Sequence, residues 1–254
     1  MGTKVVFCNC GGEIVNQKIK ESTIRFFKHS KRNSVVLSDL CGLCISEKSK
    51  VRGILSSNEQ TLIVACHPRA VKKLFEYSGY EGSFENLTFI NLRDTSEEEI
   101  AKAIETFGIE ESSSCVEMYG ESEWPSWYPV IDYSRCTACG QCADFCLFGV
   151  YEKADGKVRV VNPKGCKNNC PACARICPQT AIIFPKYKQG GAISGSDSID
   201  EIAEQQRLQQ DMNSILGNDI YKALEQRKAK RQSIIKADAM KKAMEERDKA
   251  RENE

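Results

Sequence analysis

Apolar positions in the first 110 residues of the chain follow two alternating spacings. Short runs rich in β-branched residues predict buried strands at residues 4–8, 34–40, 61–66 and 87–92. Apolar residues that recur three and four positions apart predict helices at residues 14–29, 47–55, 69–77 and 97–107. Pro68 and Ser96 supply start signals for the last two helices, and Gly79 and Gly108 supply stop signals. Strands that alternate with helices in this way predict an α/β fold with a small, Rossmann-like parallel sheet.

Shifts in composition divide the whole chain into five parts. We expect an α/β domain at residues 1–115 and a linker that contains Trp and Pro at 116–130. This linker is either an ordered segment packed on a neighbouring part of the protein or a plain connection between domains. A cysteine-rich domain occupies 131–188, and a flexible Gly/Ser-rich linker occupies 189–198. The composition and apolar spacing of residues 199–254 predict a charged helical tail with a weak apolar stripe. The tail is either a solvated helix or a helix that docks on a partner protein.

Composition narrows the classes of function. The chain has 254 residues, a formal net charge of +1 and 14 cysteines. The balanced charge gives no argument for a nucleic-acid partner. The first residues do not resemble a secretory signal, and no apolar run is long enough to span a bilayer, so that we expect a cytoplasmic protein. Cysteines in the reducing cytosol bind metals or react more often than they form disulfides.

Eight cysteines lie in two runs with metal-ligand spacing. The first run reads C-x2-C-x2-C-x3-C and the second reads C-x3-C-x2-C-x3-C-P. Such loops turn several thiolates toward one point, as a 4Fe–4S cluster requires. In two-cluster ferredoxins the fourth cysteine of each run binds the other cluster. We therefore assign one cluster to Cys136, Cys139, Cys142 and Cys177, and the other to Cys146, Cys166, Cys170 and Cys173.

This pattern resembles the bacterial dicluster ferredoxin domain over residues 131–187. The resemblance implies an α+β fold, two 4Fe–4S clusters and electron transfer. Two departures are visible: Leu147 stands where a proline usually follows the fourth cysteine, and the second run opens with one extra residue. A zinc site or a radical SAM site would match parts of the spacing, but the crossed pattern of eight cysteines favours iron–sulfur clusters.

Five further cysteines follow the first three predicted strands. Cys8 and Cys10 follow the first strand, Cys41 and Cys44 the second, and Cys66 the third. The carboxyl ends of parallel strands share one edge of a sheet, and so these thiols are expected to converge there. Convergence favours a metal or redox site, whereas ordinary core cysteines are the alternative. The remaining cysteine, at position 115, has no assignment.

Residues 3–110 resemble the N-terminal domain of the iron–sulfur flavoprotein of the heterodisulfide reductase family. The matching segments are Val6-Phe-Cys8-Asn-Cys10-Gly, Cys44, Ala65-Cys66-His67-Pro68-Arg69 and Asn91-Leu-Arg93. The resemblance implies a third 4Fe–4S cluster held by Cys8, Cys10, Cys44 and Cys66. Cys41 forms a C-x2-C pair with Cys44, so that the choice between these two stays open. His67 replaces a serine of that family, and we expect it beside the cluster rather than bound to it.

Three functional hypotheses follow. The first is an electron-transfer subunit that passes single electrons through its clusters to or from an oxidoreductase of the heterodisulfide-reductase type, docked in part through the tail. The second is a reductase of disulfides or other small substrates that uses a free thiol of the N-terminal group. The third is a redox sensor whose tail responds to cluster oxidation. The resembling flavoprotein continues into a flavin domain with G-x-G-x-x-G, and because no such motif follows a strand here we expect no flavin.

Overall fold

The first part of the protein is built on a parallel sheet. The computed structural model describes residues 2–29, 33–55, 59–108, 115–119 and 124–216, together with Lys222, Glu225, Gln226 and Ala229. Within these residues the sheet has five strands: β1 (Gly2–Cys8), β2 (Ser34–Leu37), β3 (Glu59–Ala65), β4 (Leu87–Asn91) and β5 (Cys115–Met118). Their order is β4-β3-β1-β2-β5, and every pairing is parallel. The predicted parallel α/β arrangement is therefore confirmed.

Five helices connect these strands in the described residues. They are α1 (Gln17–His29), α2 (Leu40–Ser46), α3 (Lys48–Ile54), α4 (Pro68–Tyr77) and α5 (Glu97–Thr106). All but α2 lie close to the positions that the apolar spacing predicts. α1 starts three residues later than predicted, because the Asn16 side chain accepts a hydrogen bond from the Lys18 N–H at 2.9 Å and so opens the helix. Ser96 and Glu99 form a capping box at the start of α5.

Two elements of this first part differ from the prediction. The strand predicted over 34–40 ends at Leu37, because Asp39 extends the backbone and accepts the Gly42 N–H at 3.3 Å, which starts α2. β5 begins at the last residue of the predicted α/β domain, extends into the segment predicted as a linker, and pairs with β2. Further along that segment, Tyr128 is fully buried and stacks on Trp124, with ring centroids 5.6 Å apart. The packed form of the linker is the one observed.

The cysteine-rich part consists of short elements. They are β6 (Val130–Ile131), α6 (Gln141–Phe145), β7 (Tyr151–Ala154), β8 (Lys157–Val160), a 3₁₀ turn (Pro163–Gly165), α7 (Ala172–Arg175) and β9 (Ile182–Ile183). β7 and β8 form an antiparallel hairpin through Asp155 and Gly156, both at positive φ, as the favoured two-residue turn requires. β6 pairs antiparallel with β9 and brings the two ends of this part together.

The β6–β9 ribbon separates two hydrophobic cores. Val130 and Ile183 pack into the core of the parallel sheet. Ile131, Ile182 and Trp127 pack into the core of the cysteine-rich part. Successive side chains of a strand point to opposite faces, and so each ribbon strand contributes to both cores. The two parts of the protein are thus joined by shared packing as well as by the chain itself.

Two arginines also join the parts through side-chain hydrogen bonds. Arg69, at the start of α4, donates to Asp132 Oδ2 at 2.7 Å and to the carbonyls of Thr180 and Ala192 at 2.9 and 3.2 Å. Arg93 donates to the carbonyl oxygens of residues 187 and 188, both at 3.0 Å. The buried Arg69 guanidinium and Asp132 carboxylate form an ion pair. The segment that follows Cys66 is therefore fixed to the cysteine-rich part.

The last described segment is more ordered than its composition predicts. Residues predicted as a flexible linker contain a short helix, α8 (Gly191–Ser194), whose Ile193 carbonyl accepts the Phe184 N–H at 2.7 Å. The tail begins with α9 (Glu201–Leu216), held to the end of α7 by an ion pair of 2.9 Å between Arg175 and Asp211. Most of the predicted tail, including residues 217–218 where the sequence favours a helix break, lies outside the described residues. No helix in the described ranges is both long and apolar enough to cross a membrane.

Candidate metal centres

One cavity collects the first predicted set of cysteines. Cys136, Cys139, Cys142 and Cys177 all line it. The loop before α6 reaches this position through left-handed backbone at Ala138 (φ 55) and Gly140 (φ 86). A Cβ at Gly140 would lie 2.7 Å from the Lys153 ammonium, which hydrogen-bonds the Cys139 carbonyl at 3.1 Å. Glycine at this position therefore allows the loop to close.

The second set of cysteines lines a separate cavity of about 280 Å³. Its members are Cys146, Cys166, Cys170 and Cys173. Asn169 adopts φ 59 in the gap that is one residue longer than usual, a conformation that asparagine tolerates. The Tyr151 hydroxyl donates to Cys173 Sγ at 3.0 Å. The longer gap thus leaves all four thiols at one site.

Each fourth cysteine lies beside the opposite run, which is the arrangement that the crossed assignment requires. Burial raises the pKa of Cys142 to about 12, and Cys177 is the first of the neighbours that add to this effect. Burial likewise raises the pKa of Cys166 to about 12, with further contributions from Cys146 and Cys170. Such thiols lose their protons readily only when a positive charge such as a metal ion replaces the proton.

The distances between the cysteines of each set distinguish a site for a single metal ion from a site for a cluster. In the described part of the chain, no three His, Cys, Asp or Glu side chains gather closely enough to hold a single metal ion. A 4Fe–4S cluster does not require such a gathering, because each of its four thiolates binds a different iron atom. Backbone N–H groups also point at the sulfur atoms, as that of Ala181 does toward Cys177 at 3.3 Å. The two quartets therefore fit a cluster in ligand number and in hydrogen bonding.

A third group of thiols lies at the carboxyl edge of the parallel sheet. Cys8, Cys10, Cys41 and Cys66 are all buried, each with at most 8% of its surface exposed. Burial raises the pKa of both Cys8 and Cys41 well above the usual value, and Cys10 and Cys66 add to the rise in each. The N–H groups of Leu40 and Gly12 donate to Cys8 and Cys10, in both cases at 3.4 Å. Electrostatic contributions therefore link these four thiols at the sheet edge where the sequence also predicted Cys44.

Cys44 lies apart from this group. Its thiol donates to the Leu74 carbonyl of α4 at 3.5 Å, on the inner side of α2. Burial raises the pKa of Cys44 to about 12, while a hydrogen bond with Ser78 lowers it, and no other cysteine contributes. One turn of α2 carries both members of the C-x2-C pair, and Cys10 and Cys66 contribute to the raised pKa of Cys41 but not to that of Cys44. Cys44 thus contacts α4, whereas Cys41 interacts with the thiols that follow the first and third strands.

His67 follows Cys66 at the start of α4. Its Nδ1 lies 3.0 Å from the Asn91 amide nitrogen, and its Nε2 is buried with no hydrogen-bond partner among the described residues. Burial lowers the pKa of His67, and the charged groups that modify this shift are Arg93, Asp94 and Asp197 rather than thiols. The polar neighbours of His67 Nδ1 are thus Asn91 and Asp94, and the place of His67 beside a cluster stays a prediction.

Sequence reasoning missed three residues of these sites. Asp39 is a short acidic residue before an apolar segment, which is a typical N-cap signal. The start of α2, which positions Cys41, could therefore have been predicted from the sequence. Tyr151 and Lys186 reach their sites from positions distant in sequence. No local pattern marks either residue.

Comparison with known proteins identifies the middle of the chain. The family described as a 4Fe-4S binding domain matches residues 129–149, which include the first cysteine run. The chain therefore contains an iron–sulfur ferredoxin domain, and such domains transfer electrons.

A particular relative extends this result. An uncharacterized ferredoxin of Methanocaldococcus jannaschii is 52% identical to this chain over 64 residues, which are 25% of the chain. The match spans 44% of the relative, less than half of its length. No solved structure gave a significant match. The heterodisulfide-reductase resemblance of the first 110 residues stays a prediction.

Proposed function

We propose that this protein is an electron-transfer subunit that moves single electrons through three 4Fe–4S clusters. The observation that carries the proposal is the crossed arrangement, in which two quartets of cysteines line two separate cavities. A bound 4Fe–4S cluster supplies a one-electron redox centre. The protein groups hold the thiolates, donate hydrogen bonds to sulfur and limit the access of water. No substrate-binding chemistry is needed for this role.

The third centre uses Cys8, Cys10, Cys41 and Cys66. Its support is the burial of all four thiols at one sheet edge and the separate position of Cys44. A buried group of thiolates without metal would be costly, because burial disfavours the charged form. A metal cluster offsets this cost.

The solvent exposure of the residues around each proposed cluster indicates where electrons enter and leave the protein. Cys139 is exposed, whereas the N-terminal thiols are all buried. Leu147 and Phe148, 46% and 43% exposed, line the second cavity next to Cys146 and form an apolar contact surface. We therefore place partner docking at the ferredoxin part, with the N-terminal centre exchanging electrons through it. The resemblance of the first part makes an oxidoreductase of the heterodisulfide-reductase type the partner that we propose.

The position of Cys44 argues against the hypothesis that the protein is a reductase. It requires a free, reactive thiol, and the spare cysteine of the described N-terminal group is Cys44. This thiol is fully buried and its pKa is raised to about 12 by that burial, whereas a nucleophilic cysteine needs access and a lowered pKa.

Iron analysis of the anaerobically purified and reconstituted protein tests the proposal. We expect about twelve irons and about twelve sulfides per chain, four for each cluster, and EPR signals of reduced clusters. About eight irons would retain the ferredoxin function but remove the third centre. About four or fewer would contradict the proposal as a whole.

A matched pair of variants tests the ligand choice at the third centre. Cys41→Ala removes a thiol that interacts with Cys10 and Cys66, and we expect the loss of about four irons per chain. Cys44→Ala lies on the same helix and removes a thiol that faces Leu74, and we expect full iron content. The opposite result for the two variants would return Cys44 to the ligand set.

A further inference from the structure

One lysine of the ferredoxin part reaches into the N-terminal group of thiols. Lys186 is 8% exposed, and its ammonium contacts Asp39 Oδ2 at 2.7 Å and the Pro125 carbonyl at 2.9 Å. Its side chain passes Gly12, where an added Cβ would lie 3.3 Å from Lys186 Cδ and 3.5 Å from Cys10 Sγ. The lysine stem and the sulfur atom are thus neighbours across a glycine that leaves room for both.

The charge of Lys186 acts on two thiols of the group. Burial raises the pKa of Cys10 and of Cys41, and the ammonium opposes this rise in both. Asp39 acts in the opposite direction on the same two thiols. A second ammonium, that of Lys20, contacts the Cys10 carbonyl at 3.0 Å. The site therefore holds a partly buried ion pair whose two members have opposite effects on nearby negative charge.

A cluster with four thiolate ligands carries a negative charge that grows by one when an electron is added. In a buried site this added charge is poorly solvated, and nearby ionised groups then control how favourable the reduction is. From these contacts we infer that Lys186 is a positioning residue that sets the reduction potential of the N-terminal centre from the ferredoxin side of the protein. The inference rests on the proposed third cluster.

Two variants that change the net charge of the ion pair in opposite directions test this role. Lys186→Met removes the ammonium, and we expect reduction of the N-terminal centre to become at least about tenfold less favourable, a shift of about 59 mV to more negative potential for one electron. Asp39→Asn keeps the shape of the helix cap but removes the carboxylate charge, and a shift to more positive potential is expected. Lys186→Arg keeps the charge and should restore most of the original potential. EPR-monitored redox titration of the full chain measures all three.

Lys188→Met is the matched control. Lys188 is two residues away, exposed, and paired with Glu13, so that solvent screens its charge and the potential should not change. The inference is overturned if Lys186→Met and Asp39→Asn shift the potential in the same direction or not at all. If Lys186→Met loses the third cluster, the direction of the Asp39→Asn shift decides alone. The two possible failures are distinguishable. About eight irons per chain in the unaltered protein would contradict the third centre itself, whereas about twelve irons with an unchanged potential in the variants would contradict only the role of Lys186.

Discussion

The Arg69–Asp132 ion pair gives a quantitative prediction about how the two parts hold together. Both side chains are almost fully buried, at 8% and 4% exposure, and Arg69 also donates to two carbonyl groups. Arg69→Met keeps most of the side-chain volume but removes three hydrogen bonds and leaves the Asp132 carboxylate with the Lys73 ammonium, 3.3 Å from Oδ1. Removing one member of a buried ion pair costs about 3–5 kcal/mol of the free energy of unfolding. For a chain of this size each kcal/mol lowers the melting temperature by about 2–4 °C, so that a fall of about 6–20 °C is expected.

Thermal unfolding of the reconstituted protein measures this effect. Tryptophan fluorescence reports the packing around Trp124 and Trp127, and visible absorption reports the clusters. Because unfolding with cluster loss is irreversible, the variants are compared at one scan rate. Arg52→Met, at an exposed position of α3, is the matched control and should change stability by at most about 0.5 kcal/mol. An Arg69→Met melting temperature equal to that of the control would refute the structural role given to the ion pair.

Two tyrosine hydroxyls give further predictions. Tyr151→Phe removes the hydrogen bond to Cys173 Sγ, and the potential of that centre in a redox titration should become more negative because the hydrogen bond favours the reduced state. Tyr128→Phe removes a buried bond of 2.7 Å to the Cys41 carbonyl and should cost about 1–3 kcal/mol in chemical denaturation. Tyr119→Phe, at an exposed position, serves as control for both, and a Tyr151 or Tyr128 variant that behaved like it would contradict the reasoning.

Much of the architecture could be predicted because the chemistry is local. The spacing of the strands and helices follows from apolar periodicity, and the two cysteine runs identify the ferredoxin domain because few other sites need such spacing. The boundaries were less accurate where a side chain ends an element. The cap at Asp39 shortens β2 and creates α2, which the short apolar run of residues 34–40 conceals.

The choice between Cys41 and Cys44 could not be made from sequence. Residues three apart lie on neighbouring but different positions around a helix, and only the packing of α2 against α4 decides which one faces the thiols. Lys186 and Arg69 were also beyond local reasoning. Each acts across a long separation in sequence, to Asp39 and Asp132 respectively, and the Arg69 that occurs in the resemblance motif had no assigned partner.

The ribbon formed by β6 and β9 has a consequence for any attempt to separate this protein into pieces. A ferredoxin fragment cut free near residue 131 would keep the cysteine runs but would expose Ile183, which now lies in the other core. It would also lose the stacking of Trp127 on Phe184, whose ring centroids are 5.1 Å apart. Such a fragment would present a bare apolar strand edge, the kind of surface that promotes self-association. A natural split of this chain into two proteins would therefore have to rebuild that ribbon with polar residues on one face.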